Sequence, residues 1–314
     1  MPTPDPILAT SLAGLDLAAP VLVAAGTAGT TDEIGDLLDL TRIGAIVCKS
    51  ITPEPRAGNP TPRLVPLDVG MLNAIGLANP GIDAFAESMR DRAPGPCPLI
   101  GSVAAFDLDG YARVAKAMAS LDAISAIEIN VSCPNVHGGV EFGADPNALA
   151  DVVQAAREAT TKPVFVKLAP VVVGTPNSIA DLATVAIEHG ANAITLCNTV
   201  PGMAIDVRTR KPELANITGG YSGPAIRPIV VKLVHEVYRK AAKDAGVPIV
   251  AAGGIAGWHH AAEYILAGAT AVQIGAGSLA NPRIPMKVAS GLAKWTRSQG
   301  VSNLSELTGA VRLP

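Results

Sequence analysis

Residues 246–277 read GVPIVAAGGIAGWHHAAEYILAGATAVQIGAG. A short apolar run at 248–254 (PIVAAGG) is followed by a segment, 257–267, with apolar residues three and four apart. Gly268 and a second apolar run at 271–277 (AVQIGAG) come next. Near-continuous Val, Ile and Ala suits a parallel strand buried on both faces. Three- and four-residue spacing suits an amphipathic helix, and a glycine just before the next strand is the stop expected where a helix returns to a sheet. The stretch reads as one β-α-β unit.

The same alternation extends over the chain. Further strands are predicted at 21–26, 45–50, 99–104, 126–133, 163–169 and 193–199. Helices are predicted at 32–40 (behind a capping box from Thr30 to Glu33), 81–92, 107–121, 146–160, 178–189 and 225–245, with a last one at about 281–299. Gly190 and Gly246 repeat the role of Gly268. Eight strand–helix pairs predict an α/β fold, a (β/α)8 TIM barrel, in preference to a doubly wound open sheet. Nothing of low complexity splits the chain, so residues 1–314 read as a single domain. Extended loops follow strand 2 (51–80), strand 4 (the Gly-rich 137–144, a lid) and strand 6 (200–224). All leave the strand ends where barrel enzymes build their sites.

Composition narrows the function. Hydrophobic residues make up 49% of 314 and charged residues 16%, so a large core can form. The net charge of −3 offers no basic field for phosphate backbones, and 3% aromatics offer no stacking platform. These values argue against a nucleic-acid partner. The longest apolar stretches, about nine residues, fall short of the ~20 that span a membrane. The start, MPTPDPILAT, lacks a basic region followed by an apolar block, and the expected location is the cytoplasm. Cys48, Cys97, Cys133 and Cys197 form no CxxC or clustered pattern, so no metal site is expected.

Polar residues stand out at the ends of the strands: Lys49 and Ser50, Ser102, Asn130 with Ser132 and Cys133, Lys167, Asn198 and Thr199, then Gly253-Gly254 and Gly275-Ala276. One buried polar residue is usually a satisfied structural group, but five of eight strands carrying one at the same end points to a shared ligand site. The glycine turns after the last two strands leave backbone N–H groups open to an anion, ahead of helix starts at Gly257 and near Asn281. Lys49 and Lys167 in apolar strands are either snorkelling cations or partners of an anionic ligand. Loop 70–81 (GMLNAIGLANPG) adds Asn73 and Asn79, which are turn formers or part of an amide-lined pocket. In 129–136 (INVSCPNV), Cys133 is a general base, a nucleophile or an inert thiol, with His137 the one histidine nearby in sequence.

INVSCPNV, VKLAP (166–170), CNTVPGMAID (197–206), GGYSGPAIRP (219–228), AAGGI (251–255) and AVQIGAG together resemble the dihydroorotate dehydrogenases of the soluble class that uses a cysteine base. GMLNAIGLANPG resembles the NAD-linked type. The resemblance runs from about residue 12 to residue 290. It implies an FMN barrel that oxidises dihydroorotate to orotate in pyrimidine synthesis. By resemblance Cys133 is the base and Lys49 contacts flavin and substrate. Asn73, the backbone of Ala74, Ile75, Gly76 and Leu77, and Asn130, Asn135, Asn198 and Thr199 hold the orotate. Lys167 lies beside the flavin ring, in a cofactor set that also contains Ala25, Ser50, Ser102, Asn130 and Cys197. Gly223, Gly253, Gly254, Gly275 and Ala276 hold the flavin phosphate. Ala25, Ser102 and Ala276 stand where the family often has serine, asparagine and threonine.

The NAD-linked type implies a separate subunit carrying FAD and an iron–sulfur cluster. This chain has neither a Cys cluster nor a dinucleotide fingerprint for those groups. A homodimer, or a heterotetramer with that subunit, is expected. Rival readings are an FMN barrel acting on another dihydropyrimidine or on tRNA, a non-catalytic barrel subunit, and a Schiff-base aldolase using Lys49 or Lys167.

Overall fold

A computed structural model describes residues 5–132, 142–170 and 177–314. Eight parallel strands close on themselves: β1 (Val21–Val23), β2 (Ala45–Val47), β3 (Leu99–Val103), β4 (Ile124–Asn130), β5 (Val164–Leu168), β6 (Ala193–Leu196), β7 (Ile249–Ala252) and β8 (Ala271–Ile274). Each pairs with its neighbour in sequence, and β8 pairs with β1 through Val272 and Val21. That last pairing excludes the open sheet. The helices packed outside are α1 (Ile82–Met89), α2 (Leu108–Ala119), α3 (Pro146–Glu158), α4 (Ile179–Glu188), α5 (Arg227–Val237), α6 (Trp258–Ala267) and α7 (Ile284–Ser298).

Local chemistry fixes many of the ends. Asp107 and Asp145 accept from the N–H of Gly110 and Ala148 at 2.7 and 2.8 Å, and Ser178 with Asp181 forms a full capping box. Gly246 closes its helix in the left-handed conformation, and Gly190 and Gly268 also have positive φ.

Leu22, Ala45, Val47, Ile100, Ala126, Phe165, Ala193, Val250 and Ala271 form one buried cluster inside the barrel. Leu12 and Leu17 close it from below. They belong to an N-terminal hairpin, Thr10–Leu12 with Leu15–Leu17, that the sequence reading did not contain. With period two along each strand, the next inward positions are Ser102, Glu128, Lys167, Thr195 and Gln273, all buried.

Four expectations need correction. Residues 32–40 form 3-10 turns at Glu33–Asp36 and Leu40–Arg42, not an α-helix. Glu33 does accept from Thr30 N–H at 3.0 Å, but a run interrupted by Gly35 is too short to propagate. The loops after strands 2 and 6, read without regular elements, contain strands. Leu64–Leu67, Gly70–Asn73, Gly219–Ser222 and Val200–Gly202 join them into a four-stranded antiparallel sheet with its own small core of Val65, Leu72, Ala74 and Leu214. The predicted helix at 225–245 becomes α5, a π turn at Tyr238–Ala242 and a last turn at Lys243–Ala245. Gly275 leads directly into a five-residue helix, Ala276–Ala280, rather than one near Asn281. The extension expected after strand 4 lies mostly outside the described residues.

Candidate active site

Alternation along the strands decides which side chains reach the carboxyl-end mouth of the barrel. From Val47 the next inward position is Lys49; from Ser102 and Glu128 the walls continue to the mouth and to Asn130. Ser50 and Ser102 are both buried and share a hydrogen bond of 2.8 Å. Ser102 thereby satisfies itself where a longer amide would reach further into the mouth.

The Asn130, Ser132 and Asn198 side chains form one network. Ser132 Oγ donates to Asn130 Oδ1 at 2.7 Å, and Asn198 Nδ2 donates to Ser132 Oγ at 2.7 Å and to Asn130 Oδ1 at 3.4 Å. Asn198 Oδ1 accepts from Thr199 N–H at 2.8 Å, and Tyr111 donates to the Asn130 carbonyl at 2.8 Å. Strands β4 and β6 are thus tied together at their carboxyl ends, and the amides are pre-oriented.

The sheet formed by the long connections brings in the next group. Asn73 Nδ2 donates to the Gly220 carbonyl at 3.2 Å. The Ala74 carbonyl accepts from Asn59 Nδ2 at 2.9 Å and the Ile75 carbonyl from Asn59 N–H at 3.0 Å. The N–H groups of Ile75, Gly76 and Leu77 meet no acceptor among the described residues. Gly76 and Leu77 have φ of +72° and +56°, a turn that leaves these donors free. Asn79, by contrast, spends both ends of its amide on Thr52, Leu77 and Gly81 and is a loop pin.

Two cations serve this mouth. Lys49 is half-buried; burial first, then the Arg63 guanidinium, lowers its pKa below the ordinary 10.5. Its ammonium has no hydrogen-bond acceptor among the described residues. Lys167 is 8% exposed, and Glu128 Oε1, its one ionic partner among the described residues, is 3.9 Å away, beyond hydrogen-bond reach. Two incompletely compensated ammonium groups favour an anionic ligand. Cys197 is buried and its thiol is pushed up to about 12, mainly by burial. It stays protonated at neutral pH and does not act as a nucleophile.

At the far side, Gly253 and Gly254 follow β7 and Gly275 follows β8. Gly254 has φ +65°, and a side chain there would come within 2.8 Å of the Gly223 carbonyl. Gly223, just before α5, thus packs against the Gly253-Gly254 turn. The buried Tyr264 of α6 donates to the Gly253 carbonyl at 2.6 Å. A Cβ on Gly275 would meet only Ala24, at 3.7 Å. That open face adjoins Ala24, just past the end of β1.

Cys133, Asn135 and His137 lie outside the described residues. Sequence reasoning missed Arg63, Tyr264 and the deeper set of Glu128, Thr195 and Gln273. Glu128 carried a signal: it shares the inward parity of Asn130 in β4. Among the described residues no group of three His, Cys, Asp or Glu could hold a metal, and no helix is long and apolar enough to cross a membrane.

The dihydroorotate dehydrogenase family pattern matches residues 7–295. The chain is 43% identical over 310 residues to the "Dihydroorotate dehydrogenase B (NAD(+)), catalytic subunit" of Geotalea daltonii, covering 98% of this chain and 99% of that one. It is 44% identical to the protein so named in Pelobacter propionicus, over 98% and 99% of the two chains, and 43% identical to that of Desulforudis audaxviator, over 96% of each. A crystal structure of DHODH from Eimeria tenella in complex with ferulenol superposes with a TM-score of 0.80 at 24% identity, over 99% of this chain and 91% of that chain, a likeness of fold. A closed barrel with lysines and amides gathered at its carboxyl-end mouth, and a family match over most of its length, make this chain a member of the dihydroorotate dehydrogenase family.

Proposed function

We propose that the chain, as one barrel domain over residues 1–314, is the catalytic subunit of an FMN-dependent dihydroorotate dehydrogenase that oxidises (S)-dihydroorotate to orotate in pyrimidine synthesis. The carrying observation is the pair of ammonium groups, Lys49 and Lys167, left short of partners beside the Asn130–Ser132–Asn198 network.

The residues fit a flavin mononucleotide. The mouth offers an open face at Gly275, the Gly253-Gly254 turn with Gly223 packed against it, and the short, self-satisfied Ser50–Ser102 pair. In this reading Gly223, Gly253, Gly254, Gly275 and Ala276 hold the phosphate, while Ala25, Ser50, Ser102, Asn130, Lys167 and Cys197 surround the ring system. FMN, when bound, accepts the hydride from the substrate ring.

Lys49, the free N–H groups of Ile75 to Leu77, and the amides of Asn73, Asn130, Asn135 and Asn198 with Thr199 bind the ring and carboxylate of the substrate. They fix one ring face, and positioning of this kind supplies much of the rate. Cys133 removes the proton alpha to the carbonyl. Cys48, Cys97 and Cys197 cannot take that role, because burial pushes all three up to about 12. Electrons leave to a separate subunit with FAD and an iron–sulfur cluster, and the chain assembles as a homodimer or with that subunit as a heterotetramer.

The test is the reductive half-reaction. The purified chain is loaded with FMN and mixed with dihydroorotate without oxygen. Bleaching of the visible flavin band is expected. A chain that binds FMN and stays yellow, with and without the partner subunit, would move the substrate to another dihydropyrimidine. A chain that binds no FMN would overturn the reading in favour of a non-catalytic barrel.

A further inference from the structure

Glu128 lies one layer below the mouth, fully buried on the inward side of β4. A carboxylate there is costly unless its oxygens are satisfied. Oε2 is: Thr195 Oγ1 donates to it at 2.8 Å and Gln273 Nε2 at 2.6 Å, from β6 and β8. Oε1 is not. It has no hydrogen-bond partner among the described residues, and the Lys167 ammonium stands 3.9 Å away. The Gln273 carbonyl oxygen is likewise unpartnered.

A purely structural polar cluster would satisfy its carboxylate fully. Here two donors from the barrel wall clamp one oxygen and leave the other for Lys167, at a distance that compensates the ammonium only in part. The remainder of the positive charge is available to whatever occupies the mouth. Since the interior is shielded from solvent, a charge 3.9 Å away acts with little screening.

We infer that Glu128 is a positioning residue of the redox site: clamped by Thr195 and Gln273, it holds Lys167 as its counter-ion and sets how strongly the site favours reduced flavin. This rests on the proposal above that Lys167 stands beside the flavin. Glu128 touches neither cofactor nor substrate and acts through Lys167.

The experiment measures the midpoint potential of the FMN-loaded chain by dye-equilibrated reduction, with the thermal melting midpoint as a folding control. Lys167→Gln is expected to lower the potential. Glu128→Gln, which keeps the shape and removes the charge, is expected to raise it. In the Lys167→Gln background the Glu128→Gln shift should be lost. Thr195→Val removes one donor from Oε2, returns carboxylate charge to Lys167 and is expected to lower the potential. The opposite signs separate this role from mere loss of packing.

An unchanged potential in Glu128→Gln, with Lys167→Gln lowered, overturns the inference alone. An unchanged potential in Lys167→Gln overturns the placement of Lys167 and the inference with it. Should Glu128→Gln fail to fold, Thr195→Val decides: no downward shift overturns the inference.

Discussion

Lys49 shows how a single side chain can carry a pH signature. Burial, and then Arg63, lowers its ammonium pKa below the ordinary 10.5. An anionic ligand prefers the charged form, so affinity for orotate should fall as pH rises, and the fall should begin below the ordinary lysine value of 10.5. Lys49→Gln should bind orotate roughly 10- to 100-fold more weakly, the equivalent of a lost charged hydrogen bond, and with a flatter pH response. Isothermal titration with orotate at rising pH checks both; a wild-type affinity independent of pH contradicts the role. The cysteines give a second prediction at this scale. Cys48, Cys97 and Cys197 are buried with thiols at about 12, and only the thiolate reacts. Iodoacetamide at mildly alkaline pH should therefore label folded protein once, at Cys133, and orotate should slow the reaction. Cys133→Ala should slow flavin reduction by roughly 10²- to 10⁴-fold, the usual worth of a general base, and keep FMN bound. Mass mapping that finds label on Cys197 as fast as on Cys133 would exclude this account.

At the scale of the element, the turn after β7 depends on the helix that follows it. Burial pushes the Tyr264 phenol well above its ordinary range, so it stays a donor to the Gly253 carbonyl. Tyr264→Phe should cost about 1 kcal/mol of stability and weaken FMN binding, since the glycine turn loses its anchor in α6. Gly254→Ala should do more, because φ +65° is unfavourable for alanine and the added methyl meets the Gly223 carbonyl at 2.8 Å. Urea unfolding and fluorescence titration with FMN read the two effects separately. If Tyr264→Phe binds FMN like wild type, the tyrosine is a packing residue only. The hairpins show the same dependence between elements. Asn73 reaches the mouth because its strand, Gly70–Asn73, pairs with Gly219–Ser222 from the other long connection.

For the whole molecule, the buried thiols link stability to pH. Folding raises each from an ordinary 9.0 to about 12, so the native state holds protons that the unfolded chain releases. Their contribution is fully present below pH about 9 and is lost as pH rises towards 12. The urea midpoint should fall through that window, and the fall should be shallower in Cys48→Ala and Cys97→Ala. An equally steep fall in both variants would assign the loss to other groups. Closure of the barrel also explains why its interior tolerates Glu128. Phe165 and its neighbours seal the space below, and the N-terminal hairpin closes the end.

Periodicity and glycine placement determined the eight strands and the helices after seven of them, because a strand buried on both faces and an amphipathic helix each write a local pattern; the first connection, 32–40, formed 3-10 turns instead. Polarity at the ends of otherwise apolar strands likewise marked Lys49, Asn130 and Lys167 as residues of one end. Other features are not local. Residues 70–73 read as loop because one side of their strand is completed by 219–222, about 150 residues away, and the other by the short hairpin partner Leu64–Leu67. The N-terminal hairpin exists to cover an apolar barrel floor that is complete only once all eight strands have closed. Glu128, Thr195 and Gln273 are unremarkable alone, and become a clamped carboxylate only when β4, β6 and β8 face one another across the barrel. Local patterning set the elements and their polarity. Contacts between segments far apart in sequence set which polar atoms were satisfied and which were left for a ligand, because that depends on distances only the closed barrel creates.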